Sequence, residues 1–573
     1  MGTTLTQQAT GRGKWRPMPF IALGVSMIIV DATIVNVAIP SIIRDIGISV
    51  TDAEWVNSIY SLVFAALLLT TGRVGDIYGR RRLFLLGTVV FVAASLVAAL
   101  APSAGVLILG RFLQGIGGAM LLPASLSTVN AMYQGKDRAI AFAIWGSTIG
   151  GTAALGPLLG GWLTTAFSWR WAFLINVPIG ALVVYGLLRF VPETKDPGAR
   201  RGVDLPGTVT SVVGLGALVF ALIEGQRYGW WRPTATFEAA GLRWSVTSVA
   251  PTGAAFVVAA VSLVAFWLVE RRRARRGALV LLDLRLFTIR SFRYGNLAAL
   301  IVSLGEFGLL FALPLFLQSV LGYSALQTGV VLLALAMGTF VASPFAARIA
   351  NSRGGRTVVR LGLALEVVGI VGIGAFVGVG ISAWRLVPWL FIYGAGVGLA
   401  TAQLTGVILA DIAVEESGQG SAVQSTSRQV GAALGTAILG AVLFTSLGSG
   451  VADRLQQAGV PAAQARQIAT AVKERPSEVL PALAARPDGS VVVGAASEAF
   501  VRAARDVAWT GAAFVLLGLL ATLLLPHDRG AGQRPEDESG LVAAGAAPAS
   551  GAPPLDGPAR ELTGQPDDGG PGR

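Results

Sequence analysis

The sequence predicts an all-α polytopic membrane protein with about fourteen transmembrane helices. Hydrophobic residues make up 53% of the 573-residue chain, and charged residues make up only 13%. Apolar segments of about twenty residues recur, and each is long enough to cross roughly 30 Å of hydrocarbon. Polar residues lie mostly in short connectors and near the end of the chain, which argues against a set of soluble domains.

Each predicted span is an apolar segment that ends at charged residues, Pro or Gly. The spans are expected near residues 18–40, 55–72, 83–101, 105–126, 139–164, 171–191, 206–224, 252–270, 292–317, 326–349, 358–379, 386–409, 428–447 and 508–526. The chain contains no cysteine, so disulfides and thiolate metal sites are excluded.

The positively charged residues predict how the chain is oriented. Arginines cluster in the connector 271–291 and in the turn 72–82, whereas 41–54 holds only Arg44 and 318–325 holds neither Lys nor Arg. Cytoplasmic loops carry an excess of Lys and Arg, so we expect a multi-pass protein of the cell membrane with both termini in the cytoplasm. Loops beside anionic lipid headgroups account for the net charge of +12, and no nucleic-acid partner is expected.

Composition divides the chain into segments. We expect a cytoplasmic N-terminal segment, two six-helix halves, an additional helix pair, a basic connector and a tail. The tail should be disordered because it is rich in Gly, Pro and Ala. These segments are 1–17, the N-terminal half 18–191, the helix pair 192–270, the basic cytoplasmic connector 271–291, the C-terminal half 292–526 and the tail 527–573. An extracytoplasmic connector at 448–507 has helix-like amphipathic parts near 451–475 and 495–507. It is interpreted as a tolerated insertion, a lid or a docking element.

The turn between the second and third spans has a distinctive spacing. Gly72, Asp76 and Gly79 precede Arg80 and Arg81 in a Gly-x-x-x-Asp-x-x-Gly-Arg-Arg pattern. Anchoring in the headgroup region explains the arginines but not the spacing. The pattern resembles the loop between helices two and three of the major facilitator superfamily. The resemblance implies that Asp76 and the arginines form a charge–dipole latch between the two halves on the cytoplasmic side.

The segment 109–119, which contains Arg111, resembles the fourth-helix motif of that superfamily, in which a buried arginine is associated with proton coupling. A charged residue within an apolar helix costs about 2.5–3.5 kcal/mol on insertion scales. Arg111 is therefore expected to face the interior and find a partner. In the alternative interpretation it is a structural residue bonded to backbone carbonyls.

The segment 146–161 resembles the fifth-helix motif associated with antiporters. The residues of this segment that we predict to be functionally important are Gly150, Gly156, Pro157, Gly160 and Gly161. The glycines let another helix approach closely, and the proline introduces a kink. Plain helix packing remains the alternative explanation.

The first span contains the segment 30–40, which looks like the first-helix signature of the fourteen-helix drug:proton antiporters. The segments 318–329 and 428–437 are also typical of this branch. The resemblance implies the major facilitator fold with two inserted central helices, here the pair in 192–270. It also implies a transporter rather than an enzyme. Such a transporter needs no cofactor and uses a proton gradient as its energy source.

Two acidic residues lie deep in predicted spans. Asp31 is about thirteen residues into the first span, roughly 20 Å along it, and Glu306 reaches a comparable depth in the ninth. We expect Asp31, Arg111 and Glu306 to face a central cavity that binds substrate and proton alternately. Alternatively, Asp31 is satisfied by hydroxyls such as that of Thr33, and Glu306 is structural. Glu366 is a weaker candidate.

Together these features predict a secondary active transporter that exports amphipathic or cationic drugs or antibiotics in exchange for protons. It would work by alternating access. We expect it to function as a monomer, with membrane lipids, protons and a small amphipathic substrate as its partners. An alternative is proton-coupled export of a lipid or another endogenous metabolite. A membrane-embedded enzyme is a further alternative, although no paired His ligands, phosphate-binding loop or Cys nucleophile is present in the sequence.

Overall fold

A computed structural model shows a bundle of long, apolar helices. The structure describes residues 11–48, 50–196, 202, 204–239, 242–244, 248–474 and 489–526. Within these residues, 13 helices are long and apolar enough to cross a membrane, or 14 when a bent helix is counted as one span. The predicted polytopic helical class is therefore confirmed. The predicted disordered tail at 527–573 lies outside the described residues.

The N-terminal half consists of five long helices followed by a short helix and a final span. They are α1 Met18–Ile46, α2 Val50–Tyr78, α3 Arg80–Ala99, α4 Ala104–Met132, α5 Gly135–Ala166, α6 Trp171–Leu174 and α7 Asn176–Phe190. Gly79 turns the chain from α2 into α3 with φ 116°, a conformation that strongly favours glycine. The predicted sixth span is thus divided into α6 and α7.

The α5 helix bends by 45° between Gly135–Thr152 and Leu155–Ala166. Pro157 has no N–H to donate to the carbonyl four residues earlier, and its ring crowds that carbonyl. The bend therefore lies where the proline predicts it.

An additional helix pair separates the two halves. The pair is α8 Leu205–Tyr228 and α9 Pro251–Arg275, and between its helices β1 Glu238–Ala239 pairs antiparallel with β2 Leu242–Arg243. The α8 and α9 helices pack against each other, and α8 also packs against α2 and the long helix α14. Only 22% of the apolar window of α9 is buried, so most of this helix faces outward.

The C-terminal half contains six spans and one short helix. They are α10 Arg290–Ser319, α11 Ala325–Arg353, α12 Gly355–Phe376, α13 Val387–Ile408, α14 Ser417–Gln457, α15 Ala462–Glu474 and α16 Gly489–Ala521. The halves meet where α2 packs against α14 and where α5 packs against α11 and α13.

The last two spans are longer than the sequence predicts. The α14 helix has 41 residues where the apolar segment covers 428–447, and α16 has 33 residues where it covers 508–526. The apolar criterion misses the start of α14 because polar residues such as Gln424 and Ser425 are buried against other helices. Much of the predicted connector 448–507 is consequently helix, formed by the end of α14, by α15 and by the start of α16; residues 475–488 lie outside the described residues.

Candidate functional site

A buried ion pair lies in the middle of the N-terminal half. The Oδ2 atom of Asp31 in α1 is 2.5 Å from NH1 of Arg111 in α4. The side chains of both residues are 0% exposed. Such a pair is tolerated in an apolar interior only when further hydrogen bonds satisfy its remaining polar atoms.

Amide side chains supply those additional bonds to Asp31. Gln114 of α4 and Asn176 of α7 each donate to Asp31 Oδ1 at 2.8 Å. Both amides also donate to the hydroxyl of Ser95 in α3, at 2.8 and 3.1 Å. Thr33 instead donates to carbonyls of its own helix. The alternative interpretation, in which hydroxyls such as that of Thr33 bind the Asp31 carboxylate, is therefore wrong, because amide groups bind it instead.

Arg111 is held by three kinds of contact. Besides Asp31, it donates through Nε to the carbonyl of Val56 at 3.0 Å and through NH1 to Gln114 Oε1 at 2.8 Å. Its guanidinium lies 4.3 Å from the ring centroid of Tyr60, within cation–π range. Arg111 thus has both the charged partner and the backbone carbonyl that the two sequence interpretations proposed.

A second charged cluster occupies the C-terminal half. Glu306 of α10 is 3.6 Å from Arg428 of α14, measured between Oε2 and NH2, and Tyr393 of α13 donates to the Glu306 carbonyl at 3.3 Å. Glu366 of α12 is completely buried and lies within electrostatic reach of Glu306 and Arg428. This cluster holds two carboxyl groups and one guanidinium, whereas the Asp31 cluster holds one of each.

In the structure Asp31, Arg111 and Glu306 do not form a single cluster. Asp31 and Arg111 share a cluster, while Glu306 belongs to the other half, and in the described part of the chain no hydrogen bond or ion pair joins Asp31 to Glu306. A cavity of about 500 Å³ lies between α5 and α11. Its wall includes Ile140 and Ser147 on one side and Phe340 and Ser343 on the other, so it is largely apolar and formed by both halves.

The loop motif contacts the other half of the molecule. Asp76, fully buried at the end of α2, accepts backbone N–H bonds from Gly418 at 2.8 Å and Gln419 at 2.9 Å. These are free N–H groups of the first turn of α14, where the helix dipole favours a negative charge. Arg80 pairs with Asp76 at 2.7 Å and donates to the carbonyl of Val414 at 2.6 Å.

The remaining members of the loop motif have local roles. Arg81 contacts Glu193 and the Val191 carbonyl, which follow α7 in the same half, so it does not reach α14. Gly72 lets α2 approach α14 closely, because a side chain there would meet the Gly418 carbonyl at 2.6 Å. We call Asp76, Arg80 and the first turn of α14 the inter-half latch.

The glycines of α5 face two different helices. Gly150 and Gly161 face Thr339 and Leu326 of α11, across the contact between the halves. Gly156 and Gly160 face α1, where a Cβ at Gly160 would lie 2.8 Å from Ile34 and one at Gly156 would overlap Thr33. The motif therefore packs α5 tightly against both α1 and α11.

Residues that the sequence did not single out connect the additional helix pair to the latch. Glu270 of α9 accepts N–H bonds from Leu281 and Leu282 at 3.1 and 3.3 Å. The next residue, Asp283, donates its N–H to Gln419 Oε1 at 2.8 Å, and the Gln419 N–H in turn binds Asp76.

Gln114, Asn176 and the pairing of Arg428 were also missed. The available signal was a polar side chain within an apolar segment, which marks a residue that faces other helices.

These features define a helical membrane transporter with two six-helix halves and an additional pair, rather than an enzyme. The sequence profile described as the Major Facilitator Superfamily matches residues 21–436. The chain therefore belongs to the major facilitator superfamily.

Its relatives include drug and antibiotic transporters. The chain is 34% identical over 444 residues to the probable actinorhodin transporter of Streptomyces coelicolor, covering 76% of this chain and 73% of the relative. It is 35% identical over 447 residues to the multidrug efflux pump LfrA of Mycolicibacterium smegmatis, covering 78% and 83%. It is 33% identical over 437 residues to the multidrug resistance protein Stp of Mycobacterium tuberculosis, covering 76% and 77%.

A solved structure shares the fold. The crystal structure of the human organic anion transporter MFSD10 superposes with a TM-score of 0.56 at 15% sequence identity, covering 89% of this chain and 99% of that one. This similarity supports the architecture of the helices alone.

Proposed function

We propose that this protein exports amphipathic or cationic organic compounds in exchange for protons by alternating access. The observation that carries the proposal is the ion pair between Asp31 and Arg111, which is completely buried between two spans. An intramembrane charged residue is costly and is usually part of an ion or proton pathway. The similarity to a probable actinorhodin transporter and to a multidrug efflux pump supports the proposal.

The proposed mechanism uses Asp31 as the proton-binding group. Protonation of its carboxylate removes the charge that attracts Arg111 and a cationic substrate, and release of the proton restores it. Because Asp31 contacts Arg111, Gln114 and Asn176, its protonation would loosen α1 from α4 and α7. The halves would then rock about the contacts that α5 makes with α11 and α13.

The proposed orientation places the inter-half latch and the basic connector in the cytoplasm. Arg271, Arg275 and Arg285 line one cavity together with Arg73 and Glu416, beside the latch. Anionic lipid headgroups of the cytoplasmic leaflet attract such basic groups. In this orientation the structure is closed at the latch, and the apolar cavity between α5 and α11 is the proposed contact surface for amphipathic substrates.

Efflux of a fluorescent lipophilic cation from cells that lack their own exporters tests the proposal. We expect efflux by the wild type to collapse with a protonophore and with Asp31→Asn. Asp45→Asn is a matched control on the same helix, because Asp45 lies at the exposed end of α1 and pairs with Arg170; it should retain efflux. Efflux that persists with a protonophore would refute proton exchange, and no efflux from folded wild type would favour a neutral, anionic or lipid substrate.

A further inference from the structure

Glu366 is a buried carboxyl group that the proposed mechanism does not use. It lies eleven residues after the start of α12 at Gly355, about 16 Å along the helix, and is 0% exposed. Neither of its carboxyl oxygens has a hydrogen-bond partner among the described residues. A buried ionised carboxylate without partners is strongly unfavourable.

The surroundings of Glu366 provide one positive charge for two acids. Gly396 of α13 leaves room for the side chain, because a Cβ there would lie 2.6 Å from Glu366 Cγ. Tyr393 of α13 packs against Gly369, one turn along α12 from Glu366, and its hydroxyl donates to the Glu306 carbonyl at 3.3 Å. Both glutamates therefore lie beside the same residue of α13, and Arg428 is 3.6 Å from Glu306. Tyr393 of α13 binds the Glu306 backbone rather than either carboxyl group.

Other charged groups around α12 lie towards its ends. The α11 helix ends at Arg353, beside the start of α12, and its Arg348 lines the cavity towards α5. On α16, Arg505 donates to the Val377 carbonyl at the opposite end of α12. Both ends of α12 are about 16 Å from Glu366 along the helix. On α12 itself, Arg360 donates to the Thr522 carbonyl.

We propose that Glu306 and Glu366 form a second proton-binding site, in which Arg428 neutralises one carboxylate and the other carboxyl group carries a proton. Like charges in a buried site cannot both remain ionised beside a single cation, so the proton belongs to the pair. The Asp31 cluster differs, because its single acid has an arginine and two amide donors.

The glutamate pair changes the energetics of transport, an inference that rests on the proposed proton exchange. Exchange of one proton for a monovalent cation moves no net charge across the membrane. If the glutamate pair delivers a second proton in each cycle, one positive charge enters the cell, and the membrane potential then drives export as the pH gradient does.

Uptake of ethidium, a monovalent lipophilic cation, into inside-out-oriented proteoliposomes tests this. A pH gradient and a potassium diffusion potential are imposed separately. We expect either gradient alone to drive ethidium accumulation by the wild type. Glu366→Gln should still accumulate ethidium with the pH gradient, but its accumulation with the potential alone should be at least tenfold lower than that of the wild type. Glu224→Gln is the matched control, a buried glutamate in α8, and should keep both responses.

The outcomes separate the two proposals. Accumulation driven by the pH gradient but not by the potential in the wild type would overturn the second proton site and leave proton exchange standing. Accumulation driven by neither would overturn proton exchange itself. Equal loss of both responses in Glu366→Gln would indicate a structural role and would also overturn the site.

An infrared measurement of the purified protein tests the site without any substrate. We expect a C=O stretching band of a protonated carboxylic acid near neutral pH that is absent from both Glu366→Gln and Glu306→Gln. Either substitution leaves a single acid paired with Arg428, which therefore ionises. A band that survives in Glu306→Gln would show that Glu366 holds its proton independently and would contradict the shared site.

Discussion

At the scale of single residues, the main feature is how the buried charges are compensated. Asp31 has a guanidinium and two amide donors, so its burial is offset by directed contacts from α4 and α7. Removing one member of a buried ion pair costs more than the pair contributes, because the other charge stays behind.

Asp31→Asn should therefore reduce both stability and transport. The substitution leaves Arg111 charged and fully buried, which costs about 3–5 kcal/mol in the free energy of unfolding. Thermal unfolding in detergent should show a lower Tm. The double variant Asp31→Asn, Arg111→Gln should recover much of the Tm but not the efflux, and an unchanged Tm in the single variant would contradict this account.

At the scale of helices, the α5 glycines show how the antiporter motif acts through packing. Gly156 and Gly160 face α1 next to Asp31, whereas Gly150 and Gly161 face α11. One helix therefore packs against both the helix that carries Asp31 and the other half. The functional and packing interpretations of the motif consequently concern the same contacts.

Gly156→Ala should separate α1 from α5. The added methyl group would overlap Thr33, and overpacking of this kind typically costs about 1–3 kcal/mol. We expect a lower Tm and a several-fold lower efflux rate. Gly494→Ala in α16 is the control, since nothing lies within 4 Å of its added Cβ; equal effects of the two variants would disprove the packing argument.

The additional helix pair has a defined link to the latch through Glu270, the backbone of 281–283 and Gln419. Gln419→Ala removes the bond to Asp283 but keeps the backbone N–H that binds Asp76. We expect retained folding with a changed efflux rate. Ser449→Ala in the same helix, whose hydroxyl bonds only within α14 among the described residues, should have no effect; an unaltered rate in Gln419→Ala would indicate that the pair is not coupled to the latch.

At the scale of the whole molecule, the two halves are held together at one end by the inter-half latch and along α5 by its contact with α11. A carboxylate at a helix N-terminus contributes about 0.3–1 kcal/mol, and up to about 2 kcal/mol when partly buried. A change of one or two kcal/mol alters the ratio of two states by a factor of about 5–30.

Asp76→Asn should shift the protein towards states in which the halves are separated at the latch. The chain has no native cysteine, so a single Ala143→Cys between α5 and the other half can report opening by maleimide labelling. Ala143 is 3% exposed and should react slowly; Asp76→Asn should accelerate labelling by about 5–30-fold. Gly494→Cys should react at the same rate in both backgrounds, and an unchanged rate at Ala143→Cys would refute the latch.

The number of spans, the bend near Pro157 and the turn at Gly79 could be predicted because they depend on local properties of the chain. Hydrocarbon thickness sets the length of an apolar segment, proline removes a donor, and glycine permits a positive φ. The beginning of α14 was not predictable in this way, because Gln424 and Ser425 look like loop residues until neighbouring helices bury them.

The sequence by itself determined the membrane class, the approximate spans and, through the loop and helix motifs, the resemblance to the superfamily. Only the tertiary structure decided which residues share a cluster: Asp31 with Arg111 and Asn176, and Glu306 with Arg428 and, within electrostatic reach, Glu366. The physical reason is that solvation by lipid acts on each segment separately, whereas the partner of a buried charge depends on how helices far apart in the chain pack together.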